Sequence, residues 1–308
     1  MKSEFSLEGR VALVTGGARG IGRAIAGELA RQGAKLVIVD PGVNIAGGER
    51  DPALADNAAR ELGGVSLAQD IGAPGAAQAA VALAVKHYGA IDIVVNNAAI
   101  LRDAFIFKAQ REDWERVIQT NLTGAFATLA ASAPWMREAA KQGRAPGRIV
   151  NIVSTAGLYG NFAQSAYAAA KAGLVGLTRA TAMDLARAQI HCNAVAPFAA
   201  TRVTESIQPA NEAQAAYKAR ALTVPAGHVA RLVAWLCAPA CAVTGQVFGV
   251  RGREVFLFSQ PRPVARVVTP ALDEVTPEAL DNLISLEMRE LFTDLTTDLE
   301  AFNTEPLL

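Results

Sequence analysis

The chain has 308 residues, of which 51% are hydrophobic and 19% are charged, and its formal net charge is zero. This length and apolar content are typical of one large α/β domain with a proper core, and they exclude a disordered chain. Because the charge is balanced, the sequence offers no basic surplus that would indicate a nucleic-acid partner.

The cysteines and the N-terminal segment indicate the compartment. Cys192, Cys237 and Cys241 are odd in number and have no spacing typical of metal ligands or redox pairs, so we expect buried, reduced thiols and no metal site. The first ten residues are polar and charged, without the apolar core of a signal peptide. No apolar run reaches the length of a membrane span. The sequence therefore predicts a cytoplasmic protein that does not contact the membrane.

Short apolar runs alternate with helical patterns along most of the chain. The first strand is predicted at 11–14, followed by a helix over 21–30 and a second strand over 35–39. Five further strands are predicted at 65–69, 91–95, 148–153, 191–195 and 246–250, with helices between them that include 114–136 and 163–188. This alternation is typical of a single doubly wound, Rossmann-type α/β fold with a seven-stranded parallel sheet.

Two segments depart from the minimal pattern. Residues 41–48 are rich in glycine, proline and asparagine and are predicted to form an inserted loop. After residue 250 the chain continues with a strand-like run at 254–258 and a helical pattern over 277–291. We expect a main domain over 1–252 and a C-terminal extension over 253–308. The extension is expected to pack on the same domain or at a subunit interface near the active-site opening.

A glycine-rich turn lies between the first strand and the first helix. Residues 15–22 read Thr-Gly-Gly-Ala-Arg-Gly-Ile-Gly. Glycines let a pyrophosphate approach the backbone, and the helix N-terminus offers free N–H groups and a positive dipole to that anion. The dinucleotide-binding residues predicted in this turn are Gly16, Arg19, Gly20, Ile21 and Gly22.

An acidic residue, Asp40, closes the second strand roughly twenty residues after the turn. Its carboxylate can accept hydrogen bonds from both adenosine ribose hydroxyls, and it would repel a 2′-phosphate. The sequence therefore predicts NAD rather than NADP, although Arg19 in the turn could tolerate a phosphate.

Further cofactor contacts are predicted at the carboxyl ends of later strands, where a doubly wound sheet binds its ligand. Asp70 and Ile71 follow the third strand and are predicted to hold the adenine. Asn97, Ala98 and Ala99 follow the fourth strand and are predicted to line the path of the cofactor.

Tyr167 and Lys171 are four residues apart in a helical segment and therefore share one face. A phenol has a pKa near ~10 and is a poor base at neutral pH. A neighbouring ammonium and the positive nicotinamide of NAD⁺ would favour the phenolate and lower that pKa. Tyr167 could then take the proton of a substrate alcohol while hydride leaves the same carbon, and donate it in the reverse direction.

Two polar residues complete the predicted catalytic set. Ser154 ends the fifth strand, and its hydroxyl could stabilise the charge that develops on the substrate oxygen. Asn121 lies inside the helix after the fourth strand, where its amide could hold a water that relays protons to Lys171.

The glycine turn, the Asn-Asn-Ala run at 96–98, Asn121, Ser154 and the Tyr-x-x-x-Lys pair together resemble the short-chain dehydrogenase/reductase superfamily over residues 8–250. The resemblance implies an Asn-Ser-Tyr-Lys tetrad, a role for Lys171 in binding the nicotinamide ribose, and a homodimer or homotetramer. It also implies that Pro197 and Thr201 contact the cofactor. Two positions depart from the family pattern, because Ala99 and Phe198 stand where glycines are usual.

Residues 39–42, 196–204 and 244–252 are similar to those of one subgroup. This subgroup contains the dehydrogenase domains of the peroxisomal multifunctional enzyme type 2 and bacterial dehydrogenases of steroid and acyl-CoA breakdown. The resemblance implies oxidation of a (3R)-hydroxyacyl-CoA to the 3-ketoacyl-CoA. Basic residues available for the phosphates of such a substrate are Arg102, Lys108, Arg202 and Lys218, and residues 201–224 are expected to form a lid.

Two alternatives remain open. One is a dehydrogenase of a free secondary alcohol, such as a hydroxysteroid or a ring alcohol. The other is a non-catalytic nucleotide-binding regulator, which is disfavoured because such a protein would be expected to lose the Tyr or Lys of the tetrad and both are present.

Overall fold

The computed structural model describes residues 5–201, 204–205, 209, 212–269, 276–295 and 306–307. The chain divides into two compact units, one formed by Met1–Phe258 with Glu305–Leu308 and the other by Ser259–Thr304. Within these described ranges, no helix combines the length and the apolar character that a membrane crossing requires.

One mixed sheet forms the centre of the first unit. Its strands are β1 (Val11–Thr15), β2 (Lys35–Val39), β3 (Val65–Leu67), β4 (Ile93–Asn96), β5 (Arg148–Ile152), β6 (His191–Phe198), β7 (Val247–Arg251) and β8 (Glu254–Leu257). They lie in the order β3-β2-β1-β4-β5-β6-β7-β8. The pairings from β3 to β7 are parallel, which confirms the predicted doubly wound sheet, and β8 adds an antiparallel edge strand against β7.

Helices cover both faces of this sheet. In the first unit they are α1 (Gly20–Arg31), α2 (Ala53–Glu61), α3 (Ala76–Tyr88), α4 (Arg111–Ile118), α5 (Gly124–Lys141), α6 (Ala156–Tyr159), α7 (Ser165–Asp184), α8 (Glu212–Thr223) and α9 (Gly227–Cys237). The second unit contains α10 (Pro277–Glu287), which Thr276 caps through a hydrogen bond from the Ala279 amide. We predicted that the extension packs on the main domain or at a subunit interface, and for this second unit that remains a prediction.

The central strands are buried because helices cover both faces of the sheet. Every residue of β1 and β5 is buried, as expected for a parallel sheet between two helical layers. Leu13 of β1 lies opposite Val37 of β2 on one side and Val94 of β4 on the other. The strand order reverses between β1 and β4, so a crevice opens at the carboxyl ends of these two strands.

The helix predicted over 114–136 is interrupted. A π turn, Gln119–Thr123, separates α4 from α5. Such single π turns insert an extra residue into the helix and are frequent at functional sites. The hydrophobic pattern does not reveal this insertion, because the apolar residues on either side keep a helical spacing.

Candidate active site

The predicted site residues converge on one cleft at the carboxyl ends of the parallel strands. Every one of them except Asn121 lines this cleft: Gly16, Arg19, Gly20, Ile21, Gly22, Asp40, Asp70, Ile71, Asn97, Ala98, Ala99, Ser154, Tyr167, Lys171, Pro197 and Thr201. The cleft also takes in the inserted loop, through Asn44, Ile45 and Gly47. The position of this insertion directly after β2 is the signal that could have placed it there.

The glycines of the turn have two different roles. A Cβ on Gly16 would lie 2.9 Å from the Cα of Ala98, and the backbone φ of Gly16 is +63°. Gly22 is needed because its Cβ would collide with the Gly16 carbonyl. Gly20, with a φ of +54°, faces open space instead. Gly16 and Gly22 therefore allow close packing of the turn, while Gly20 leaves the entrance of α1 clear.

The N-terminus of α1 suits an anion. Its N-cap residue, Arg19, has an extended backbone and forms no side-chain cap. The first-turn N–H groups of the helix therefore point toward the cleft together with the positive end of the helix dipole. The pyrophosphate of a dinucleotide fits this chemistry.

Arg19 itself is directed toward the inserted loop. Its guanidinium donates a 2.5 Å hydrogen bond to the Val43 carbonyl. This contact occupies one of the guanidinium N–H donors that could have met a 2′-phosphate. It also ties the glycine turn to the insertion.

Asp40 is buried at the end of β2 and joins two loops. Its carboxylate accepts hydrogen bonds from the amide of Ala18, at 3.1 Å, and from the amide of Gly42, at 2.9 Å. Each carboxylate oxygen retains a second acceptor site, so a ribose hydroxyl can still be bound. Asp40 is therefore both a brace for the cleft wall and a candidate ligand.

The part of the cleft around Asp70, where the sequence predicts the adenine, contains a polar cluster that the sequence did not reveal. The Asp70 carboxylate lies 3.3 Å from the Arg116 guanidinium and 3.4 Å from the Thr120 hydroxyl, and it accepts a hydrogen bond from the Gly72 amide. Arg116 and Thr120 also line the cleft. Ile71, beside them, is buried and provides an apolar surface.

The asparagine run after β4 holds the glycine turn in place. The side-chain amide of Asn97 donates 3.0 Å hydrogen bonds to the carbonyls of Thr15 and Gly16. The Thr15 hydroxyl in turn accepts from the amides of Asn97 and Ala98. The two strand ends that flank the crevice are thus bonded directly to each other.

At the other end of the cleft lie Ser154, Tyr167 and Lys171. Lys171 is buried, and its ammonium donates a 2.7 Å hydrogen bond to the Ile152 carbonyl. The Lys171 Nζ atom is 5.6 Å from the centre of the Tyr167 ring. A hydrogen bond also joins the side chains of Ser154 and Tyr167. The three predicted catalytic groups are therefore together.

The protonation states of this pair are set mainly by burial. Desolvation raises the pKa of Tyr167 to about 12, whereas the hydrogen bond with Ser154 lowers it. Desolvation lowers the pKa of Lys171 to about 8. We expected a lowered tyrosine pKa, but in the chain by itself the loss of hydration is the larger effect. A phenolate at neutral pH therefore requires an added positive charge beside the ring.

The side chain of Asn121 is held by local hydrogen bonds. Asn121 lies in the π turn, and its side-chain amide forms two hydrogen bonds with the backbone of Ile100. The side-chain oxygen accepts from the Ile100 N–H and the side-chain nitrogen donates to the Ile100 carbonyl, each at 2.9 Å. Ile100 lines the cleft, whereas Asn121 does not. The side chain thus braces the segment after β4, and the predicted water relay to Lys171 stays a prediction.

Part of the predicted lid forms the wall near Tyr167. The rings of Phe198 and Tyr217 meet edge to face with their centres 5.4 Å apart, and Ala221 lies beside them in the cleft. Arg202 and Ile207 lie outside the described residues.

The other basic residues proposed for a CoA substrate are engaged elsewhere. Arg102 pairs with Asp113 at 2.6 Å, Lys218 donates to the Glu205 carbonyl, and Lys108 lies over the Phe107 ring. Within the part of the chain that the structure describes, these three side chains do not line the main cleft.

Fold and site together define a dinucleotide-dependent oxidoreductase with a Tyr-Lys pair. The family model described as short chain dehydrogenase matches residues 10–215. A solved short chain dehydrogenase from Mycobacterium avium superposes with a TM-score of 0.76 at 32% identity, covering 91% of this chain and 96% of that one.

Two curated relatives are similar in sequence. Peroxisomal multifunctional enzyme type 2 of Mus musculus is 35% identical over 283 residues, which are 91% of this chain but only 37% of that enzyme. Hydroxyacyl-CoA dehydrogenase ChsB1 of Mycobacterium tuberculosis is 40% identical over 263 residues, 83% of this chain and 81% of the relative.

The chain belongs to the short-chain dehydrogenase family. It is an oxidoreductase that acts on CH–OH groups and uses a nicotinamide cofactor.

Proposed function

We propose that the chain is an NAD-dependent dehydrogenase that interconverts a (3R)-hydroxyacyl-CoA and the corresponding 3-ketoacyl-CoA. The observation that carries the chemistry is the meeting of Tyr167, Ser154 and Lys171 at one end of a cleft. The other end of the same cleft contains the open N-terminus of α1 and the carboxylate of Asp40. This arrangement fits a dinucleotide along the cleft and an alcohol beside the tyrosine.

The chain's own residues have distinct parts in the reaction. Ser154 orients the substrate oxygen by hydrogen bonding, and Tyr167 takes the hydroxyl proton of the substrate in oxidation or returns it in reduction. Lys171, held by the Ile152 carbonyl, keeps a positive charge near the phenol and so opposes the effect of burial on Tyr167. The nicotinamide cofactor supplies the acceptor or donor of the hydride.

The preference for NAD rests on Asp40, so the change Asp40→Ala tests it. A buried carboxylate at this place repels a 2′-phosphate, and its removal should lower the NAD⁺/NADP⁺ ratio of kcat/KM by about tenfold or more. Steady-state kinetics with both cofactors measures this ratio. Asp184→Ala removes a charge at an exposed site on α7 and should leave the ratio unchanged. An unchanged ratio in Asp40→Ala would assign the preference to another group.

Support for the thioester substrate comes from the relatives and from the cleft wall. The relative from Mycobacterium tuberculosis is named as a hydroxyacyl-CoA dehydrogenase. Phe198, Tyr217 and Ala221 provide an apolar wall near Tyr167, which suits an acyl chain or a ring system.

One observation favours the second candidate, a dehydrogenase of a free secondary alcohol. Among the described basic residues considered for CoA, Arg102, Lys108 and Lys218 do not line the cleft, and each already contacts another group. A hydroxysteroid or ring alcohol would need no such cation.

A substrate panel separates the two candidates. NADH formation would be compared for a (3R)-hydroxyacyl-CoA, its (3S) isomer, the matching pantetheine thioester and several free alcohols that include hydroxysteroids. We expect turnover of the (3R) thioester and little of the (3S) isomer. Turnover confined to the free alcohols would overturn the thioester assignment, and equal rates for CoA and pantetheine thioesters would show that the CoA phosphates contribute no binding.

We further propose that the enzyme is a homodimer or homotetramer. Support comes from large apolar side chains that are exposed on α5 and α7, namely Phe126, Trp135 and Met183. Surfaces of this kind are typical of subunit contacts. The cytoplasmic location also stays a prediction, because the similar mouse enzyme is named as peroxisomal.

A further inference from the structure

Asp103 lies in the segment that follows β4, and it contacts the residue just before α7. Its carboxylate accepts a 2.8 Å hydrogen bond from the side-chain amide of Gln164. The backbone reinforces this contact, because the Ala104 amide donates to the Ala163 carbonyl at 2.8 Å and Ala104 forms a parallel bridge with Gln164. Gln164 is the N-cap residue of α7, three positions before Tyr167. Asp103 therefore acts on the start of the catalytic helix.

The loop on the other side of this contact is held as well. Asn161 donates from its side-chain amide to the Gln164 side-chain oxygen at 2.9 Å. Between them, Ala163 has a φ of +59°, a left-handed conformation that a residue with a Cβ rarely adopts. Strained backbone of this kind persists where the surrounding contacts determine it, and it is frequent near active sites. The contact between Asp103 and Gln164 is one of those contacts.

Charged and titratable groups reach Tyr167 from four elements. Lys171 comes from α7 itself, Ser154 follows β5, Tyr217 belongs to α8, and Asp103 comes from the segment after β4. Among these described groups, Asp103 is the one that carries a carboxylate. Its negative charge raises the pKa of Tyr167, whereas the hydrogen bond with Ser154 lowers it. Partial burial also raises the pKa of Asp103, against the effect of its hydrogen bond with Gln164.

We propose that Asp103 is a positioning residue for the reaction, which holds the start of α7 through Gln164 and adds a negative charge to the surroundings of Tyr167. This inference rests on the proposed function, in which Tyr167 exchanges the proton with the substrate. The charge keeps the phenol protonated, so it prepares Tyr167 to donate a proton in reduction and makes oxidation depend on higher pH. Holding Gln164 needs only an acceptor oxygen, so the charge is a separate contribution.

Two variants of Asp103 separate these contributions. Asp103→Asn keeps an oxygen that can accept from Gln164 but removes the charge, whereas Asp103→Ala removes both. The kcat/KM for alcohol oxidation by the full chain with NAD⁺ would be measured against pH. We expect the rising limb of the kcat/KM profile of Asp103→Asn to move to lower pH by about half a unit or more. Asp103→Ala should show the same shift together with a several-fold loss of kcat, because α7 loses its anchor.

The control is Glu138→Gln, which removes an exposed carboxylate that pairs with Lys141 at the end of α5. In this variant the rising limb of the kcat/KM profile should lie at the same pH as in the wild type. An unshifted limb in Asp103→Asn would overturn the role of the charge, and an unchanged kcat in Asp103→Ala would overturn the anchoring role.

A direct titration distinguishes a failure of this inference from a failure of the proposed function. Tyrosinate absorbance during an alkaline titration would be recorded for wild type and for Asp103→Asn with NAD⁺ present, and the spectrum of Tyr167→Phe identifies the signal of Tyr167. If no alcohol is turned over but the Tyr167 titration moves to lower pH in Asp103→Asn, the proposed function fails and the electrostatic role of Asp103 stands. If turnover is normal and the Tyr167 titration does not move, the proposed function stands and the electrostatic role of Asp103 fails.

Discussion

Tyr167→Phe is expected to lower kcat/KM in both directions by about 10²- to 10⁴-fold, which is the usual contribution of a general acid or base. The substitution keeps the ring in contact with the rest of the cleft and removes only the hydroxyl that bonds with Ser154. Because we propose that α1 and Asp40 bind the pyrophosphate and the adenosine ribose, the affinity for NADH should change little. Stopped-flow or steady-state assays measure the rates, and NADH fluorescence measures the affinity.

The matched control is Tyr88→Phe. Tyr88 ends α3, and its hydroxyl donates a long, 3.4 Å hydrogen bond to the Leu36 carbonyl, so this variant also loses one phenol but should retain full activity. Retained turnover in Tyr167→Phe would refute the assignment of Tyr167 as the acid and base. A parallel loss of NADH binding would mean instead that the cleft has collapsed.

Lys171→Met is expected to reduce kcat/KM by about a hundredfold or more, because Tyr167 loses the positive charge that Lys171 places beside its ring. Methionine is unbranched and can occupy the space of the buried lysine stem. The variant should therefore fold, although the Ile152 carbonyl loses its donor. Activity assays and denaturant unfolding of the purified chain test both statements.

The same substitution predicts a change in how stability depends on pH. Burial lowers the pKa of Lys171 from 10.5 to about 8, so below pH 8 the folded chain carries the full cost of a buried ammonium. That cost is of the order of 3 kcal/mol, at about 1.4 kcal/mol for each unit of the shift. Between about pH 8 and 10.5 the folded chain loses this proton before the unfolded chain does, so the free energy of unfolding of the wild type should rise.

The methionine variant should lack this rise, and the difference between the two proteins isolates Lys171 from the other titrating groups. Unfolding by urea at several pH values in this window measures it. Parallel curves for wild type and variant would show that Lys171 keeps an ordinary pKa in the folded chain.

The sequence was sufficient to predict the parallel part of the sheet and many of the residues that line the cleft. Parallel strands end at one edge of the sheet, so Asp40, Asn97 and Ser154 could be brought together from strand positions alone. Tyr167 and Lys171 were related by helical spacing. These predictions needed only the periodicity of each element and the rule that ligands bind at carboxyl ends.

The contacts that adjust the site could not be predicted in this way. Arg116 with Asp70 and Gln164 with Asp103 join segments that are far apart in the chain, and no spacing rule relates them. The position of Asn121 inside the helix could be predicted, but the π turn and the two hydrogen bonds of its side chain with Ile100 could not. The raised pKa of Tyr167 likewise depends on how completely the folded chain removes water, which no motif records.

Asp40 accepts hydrogen bonds from two backbone amides, and this affects how cofactor use can change during evolution. A substitution that welcomes a 2′-phosphate also leaves the amides of Ala18 and Gly42 without their acceptor. Unpaired buried amides cost about 1–3 kcal/mol each. A descendant that loses Asp40 in adapting to NADP would therefore be expected to acquire companion changes in the glycine turn or the inserted loop, so that cofactor identity and loop architecture are inherited together.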